Sequence, residues 1–134
     1  MIFSSTVKNS GQQHAVTVRT GNESKSINIP AKSVGQGSSV NGAELLFLAL
    51  ATCYCNDIYR EAAKRNINID SVEVTVKGEF GSEGEPATNI SYEVDVKSST
   101  NNPGEISELV DYVDNVAEIH NTLRKGIAVT LAKK

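Results

Sequence analysis

Cys53 and Cys55 are the two cysteines of the chain, and they stand two positions apart in a run of eleven uncharged residues from Leu45 to Cys55. Three chemistries are open to such thiols: a redox disulfide, metal ligation, or attack by one thiolate acting alone. If the run is helical, positions two apart differ by about 200° around the axis, so the sulfurs face nearly opposite sides. A disulfide needs β-carbons about 3.8 Å apart on converging vectors, which an intact helix does not offer. Further cysteines or suitably spaced histidines to complete a zinc site are lacking, and no metal or cofactor motif is read elsewhere. The thiols are therefore read singly. A cysteine in apolar surroundings has its thiolate disfavoured, so a reactive one needs a positive group brought to it. Two readings stand here: an inert core cysteine that packs as a small hydrophobe, and a thiolate activated by an arginine.

Other groups with chemical potential have plainer uses. Glu44 follows Asn41 by three, the spacing of a capping box, which gives it a structural role at a helix start. Arg19 closes a β-rich segment, where a solvated residue is expected. His14 and His120 have no evident partner and read as surface or satisfied residues. Tyr54 and Tyr59 read as packing residues.

The elements that must hold the thiols follow from the pattern around them. The apolar run is too short for a bilayer, which needs about 20 residues. As a helix it is apolar all round and must be covered all round by protein. The helix is predicted from Gly42 to about Arg65, with Asn66 as a left-handed stop. Its second half is amphipathic: Asp57, Arg60, Glu61, Lys64 and Arg65 are placed toward water, while Ile58, Tyr59, Ala62 and Ala63 pack. Before it, Ile2–Val7, Ala15–Val18 and Ser26–Ile29 read as a three-stranded antiparallel meander. Gly35-Gln36-Gly37 lacks the third glycine and strand–turn–helix frame of a dinucleotide loop and reads as linker. Residues 69–80 and 90–97 alternate as a β-hairpin. A second helix starts near Pro103 or Glu105 and runs to just before Lys125, and Ile127–Leu131 alternates as a closing strand. The order βββ-α-ββ-α-β makes an α+β domain of antiparallel sheets with a long buried central helix. A small sheet on one side cannot cover such a helix; either the second helix covers the rest or a second copy of the chain does. A homodimer in which the apolar halves of two central helices meet is the favoured expectation.

The bulk composition bounds the rest. At 134 residues, 39% hydrophobic and 22% charged, one globular domain is expected. A formal net charge of −3 without a basic block excludes the electrostatic footprint of a nucleic-acid binder. No signal-peptide pattern opens the sequence, no membrane segment is read, and two cysteines do not make a secreted disulfide scaffold. A reducing cytoplasm is the expected location.

The stretch Gly42-Ala43-Glu44-Leu45-Leu46-Phe47-Leu48-Ala49-Leu50-Ala51-Thr52-Cys53 resembles the helix start Pro-x-Glu-Leu-Leu-x-Ala-x-Leu-x-x-Cys of the OsmC/Ohr family (osmotically inducible and organic hydroperoxide resistance proteins). Ala62-Ala63-Lys64-Arg65-Asn66-Ile67 is similar to that helix's end, and Asn121 to Leu131 to the family's closing segment. With the element order, the resemblance covers nearly the whole chain. It implies an intertwined homodimer with two interface sites, each built on a peroxidatic cysteine, here Cys53. Its thiolate would attack the O–O bond of an organic hydroperoxide and become a sulfenic acid, reduced in the end by an external thiol. The resemblance also implies an arginine that lowers the thiolate pKa, for which Arg19 is the nearest candidate, and a glutamate that orients it, matched by Glu44. The family's resolving cysteine falls at Ala117, and the turn Asn9 to Gln13, where the activating arginine usually sits, has none. The spacing of nine from Glu44 to Cys53 is that of the OsmC-like branches. A one-cysteine peroxidase cycle resolved by an external thiol and a non-catalytic member binding a small apolar ligand at the interface are the two functions this leaves.

Overall fold

The computed structural model describes residues 1–133. Its first compact unit, Met1–Leu45, is built on a meander of β1 (Phe3–Ser10), β2 (Gln13–Thr20) and β3 (Glu23–Ile27), antiparallel and in the order β1-β2-β3. Ser10 pairs with Gln13 and Thr20 with Glu23, so each turn has two residues and opens on a glycine of positive φ, Gly11 or Gly21. Two-residue hairpins need that conformation to match the strand twist. After the meander, bonds from Ser39 N–H to the Pro30 carbonyl and from Lys32 N–H to the Gly37 carbonyl close the linker loop.

The central helix α1 (Gly42–Lys64) starts as the capping box predicts. Glu44 N–H donates to the Asn41 side chain at 2.9 Å, and Asn41 N–H donates to the Glu44 carboxylate at 3.2 Å. Asn66, with φ 54°, ends it.

The second unit begins at Leu46 and carries the hydrophobic core. Strands β4 (Ser71–Glu79) and β5 (Thr88–Lys97) form the expected hairpin, and helices α2 (Pro103–Val116) and α3 (Glu118–Lys125) follow. Leu50, Tyr54, Ile58 and Ala62, four apart along α1, form its buried stripe. Tyr54, Ile58 and Ala62 meet Leu109, Val113 and Ala117 over the alternating valines and Tyr92 of the hairpin. The Tyr54 hydroxyl donates to the Val110 carbonyl at 2.7 Å, so one side chain fills the core and ties α1 to α2.

Several expectations need correction. Asp57 and Glu61, placed toward water on the sequence pattern, are each 4% exposed, whereas Tyr59 and Ala63, expected to pack, are exposed. Arg60 and Lys64 ion-pair with the two buried carboxylates, which removes the need for water. The second helix is two helices, broken at Ala117 (ψ 107°) without proline or glycine. The break is supported from α3: the Asn121 amide donates to the Asn115 carbonyl and the Arg124 guanidinium to that of Asp114, satisfying carbonyls that the end of α2 leaves free. The closing strand is absent within the chain. Residues 127–133 are irregular, with Val129 99% exposed, because a strand needs a neighbouring ladder and none is present among the described residues. His120, expected at the surface or satisfied, is buried and lacks a hydrogen-bond partner at either ring nitrogen. Leu48 and Ala49 of the apolar run stay exposed, since the hairpin and α2 cover one side of α1 only.

Candidate functional site

Cys53 lies half-buried in the middle of α1, and Asp57 (i+4) and Arg60 (i+7) lie on the same face one and two turns on. The Cys53 thiol points at Asp57 Oδ2, 3.8 Å away, while Asp57 Oδ1 receives Arg60 Nη1 at 2.8 Å. The first turn of α3 closes the other side. The Ile119 backbone amide acts on the Cys53 sulfur to lower its pKa, and the Glu118 carboxylate joins Cys53 and Asp57 in a group whose ligand atoms lie within 4.8 Å of one another.

This setting sets the thiol's acidity. Burial pushes the Cys53 thiol above the usual range; the Ile119 amide pulls it down, and the negative charges of Asp57 and Glu118 push it up again. Burial also raises the Asp57 carboxyl, against the pull of Arg60. One sulfur and two carboxylates make a mixed donor set without the histidines common in zinc sites, and Arg60 already occupies one Asp57 oxygen. Both cysteines are free. The arrangement is that of a lone thiol with a backbone amide lowering its pKa and its proton held by neighbouring acids.

A protein-family model described as OsmC-like protein matches residues 35–132, well over half of the chain. The chain belongs to the OsmC-like family. Solved structures support this at the level of fold. An OsmC-like protein from Mycoplasma pneumoniae is 20% identical with a TM-score of 0.63, covering 92% of this chain and 89% of its own. The organic hydroperoxide resistance protein OhrB of Bacillus subtilis is 21% identical with a TM-score of 0.54, covering 92% of each chain. An organic hydroperoxide resistance protein OsmC from Legionella pneumophila is 19% identical with a TM-score of 0.57, covering 90% and 89%. No curated protein matches the chain by sequence. No helix among the described residues is long and apolar enough to cross a membrane.

Of the other residues singled out from the OsmC-like pattern, Glu44 and Arg19 belong to the first unit and Ala117 to the break between α2 and α3. Glu44 is exposed in the first turn of α1 and bonded to Asn41. Arg19 is an exposed residue of β2, in register with Ser4 and Ser24. Ala117, at the place of the family's resolving cysteine, is wholly buried one residue before Glu118. The residues that do surround Cys53 were partly within reach of the sequence: Asp57 and Arg60 share its helix face at i+4 and i+7. Glu118 and the Ile119 amide had no signal, because only the break at Ala117 turns α3 toward α1.

Proposed function

We propose that this OsmC-like protein is a thiol-dependent peroxidase that reduces organic hydroperoxides through Cys53 in a single-cysteine cycle. The reading rests on Cys53, a free, half-buried thiol whose pKa the Ile119 amide at the start of α3 pulls down, together with the hydroperoxide resistance named for two relatives of the same fold. The thiolate attacks the terminal oxygen of the hydroperoxide. The O–O bond breaks, sulfur is oxidised to the sulfenic acid, and the departing alkoxide takes a proton from water to leave as an alcohol. One external thiol condenses with the sulfenic acid, forming a mixed disulfide and releasing water. A second displaces Cys53 as a thiol and leaves the external disulfide, so no protein resolving cysteine is required. Because burial and the two carboxylates hold the thiol protonated at neutral pH, turnover rises with pH through the raised Cys53 pKa.

The test is consumption of an organic hydroperoxide with a dithiol reductant. Cys53→Ser is expected to lower turnover at least about a hundredfold, and Cys55→Ser to leave it within about twofold. An unaltered protein without turnover sinks the enzyme reading and leaves a non-catalytic member of the family that binds a small apolar ligand.

The working form proposed here is a homodimer. In the second unit, Leu48, Val129 and Leu131 are each more than half exposed in the single chain, apolar side chains that a second copy would bury. Sedimentation is expected to give twice the 14.3 kDa mass, and Val129→Glu with Leu131→Glu to give the monomer. The resemblance puts Arg19 and Glu44 in sites at that dimer interface, so their roles depend on the dimer. Arg19→Ala should slow hydroperoxide reduction about tenfold in the dimer and leave the monomeric variant unchanged. Equal rates in the dimer with and without Arg19 remove it from the site.

A further inference from the structure

His120 carries a chemistry that the thiol site does not use. Its ring is 5% exposed, lies edge-on to Tyr92 at 4.8 Å between centroids, and sits 5.9 Å from Tyr54. Neither ring nitrogen has a hydrogen-bond partner among the described residues. The nearby polar groups are already committed: the Tyr54 hydroxyl donates to the Val110 carbonyl, and the Tyr92 hydroxyl to the Asp114 carboxylate. Arg124 is ion-paired with the same carboxylate at 2.7 Å. Burial, with Arg124 acting in the same direction and Asp114 against it, lowers the His120 pKa and favours the neutral ring. A neutral imidazole offers one donor and one acceptor, and leaving both unpaired in the interior is unfavourable.

The ring forms part of the wall of a cavity of about 240 Å³, whose other walls include Leu50, Val76, Ile90 and Leu123. Sites for drug-sized ligands run to about 300–1,000 Å³, so this one suits a single ring or a short chain. We propose that the cavity binds a small apolar molecule bearing one hydroxyl group, an alcohol or a phenol, and that the His120 ring, whose nitrogens are both closed off without it, turns to pair one of them with that hydroxyl. A hydroxyl both donates and accepts, so it satisfies either nitrogen. A carboxylate is the poorer fit, because the Arg124 charge is already offset by Asp114 and a neutral ring adds none. None of Cys53, Asp57 and Glu118 lines the cavity, so the proposal stands apart from the peroxidase reading.

The test compares p-cresol with toluene, which has the same ring and methyl group but no hydroxyl, by titration into protein with isotope-labelled histidine. We expect saturable binding of p-cresol that moves the His120 ring resonances, at least about tenfold tighter than toluene. His120→Phe should abolish the preference, leaving the two molecules with equal affinity. Leu123→Trp, at a position 41% exposed, keeps His120 and fills the cavity; it should lose both ligands while remaining folded. Equal affinities in the unaltered protein, His120 resonances that do not move, or a preference that survives His120→Phe would each overturn the assignment. Tighter binding of 4-methylbenzoate than of p-cresol would overturn the hydroxyl as the recognised group.

Discussion

Replacing Tyr54 by alanine is expected to remove most of the protein's stability. The side chain is wholly buried between α1, α2 and the hairpin, 5.0 Å from the Tyr92 ring, with its hydroxyl on the Val110 carbonyl. Truncating a buried aromatic costs about 3–5 kcal/mol, and the lost hydroxyl bond adds about 0.5–1.5 kcal/mol, since the Val110 carbonyl inside α2 keeps its helix bond. Domains of this size have about 5–15 kcal/mol in total, so the variant sits at the edge of unfolding. Tyr54→Phe separates the two contributions, since it keeps the ring and loses only the hydroxyl, at a cost of about 0.5–1.5 kcal/mol. Urea titration followed by circular dichroism reads both. An alanine variant with the unaltered midpoint would mean that Tyr54 does not hold the core. Burial, with Asp114 and Asp111, pushes the Tyr54 phenol well up, so its role is packing and anchoring and not proton transfer at ordinary pH.

The second large effect concerns the thiol. Asp57 and Glu118 both oppose ionisation of Cys53, and the Asp57 carboxylate also accepts the thiol proton in a hydrogen bond that favours the neutral form. Asp57→Asn with Glu118→Gln removes both charges, leaving burial as the main force raising the pKa and the Ile119 amide as the one lowering it. Each pH unit by which the pKa falls raises the thiolate fraction tenfold while the thiol is mostly protonated. In a Cys55→Ser background, alkylation of Cys53 by iodoacetamide at pH 7.5 is therefore expected to accelerate about tenfold. The unaltered site should gain rate with pH beyond the ordinary thiol range, and the double variant should level off at lower pH. The difference should shrink in high salt, because Cys53 is half-exposed and its neighbours are partly screened. A double variant that reacts no faster would show that burial alone sets the acidity of Cys53.

The thiol site and the His120 cavity share a cause in the packing of α3 against α1. Glu118 and Ile119 face the thiol, and His120, next in the chain, faces the cavity. The break at Ala117 thus supplies residues to two separate sites. It also explains why a one-helix reading of residues 103–124 gave no sign that His120 is buried without a partner. The pattern Ile106, Leu109, Val110, Val113, Val116, Ala117 continues smoothly through the break, and the groups that stabilise the break are side chains of the following helix.

Elements whose stabilising contacts lie close in sequence were legible. The capping box at Asn41 and Glu44, the Asn66 stop, the glycine turns of the meander and the alternation of the hairpin each depend on residues a few positions apart, and each formed as the pattern required. The family was legible for a related reason: a long apolar helix carrying Glu44 and Cys53 is a local text. Burial of charge was not, because Asp57 and Glu61 go inside only when Arg60 and Lys64 fold over them and a neighbouring element covers them. The closing strand was misjudged because alternation at Ile127–Leu131 states a preference, and a strand also needs a partner to accept its hydrogen bonds. What the sequence by itself determined is the set of local elements, their order and the thiol at the centre of the buried helix. Only the tertiary structure decided which acids surround that thiol, which histidine loses its water and where the second helix breaks, because burial and charge pairing are made by residues that meet only after the chain has folded.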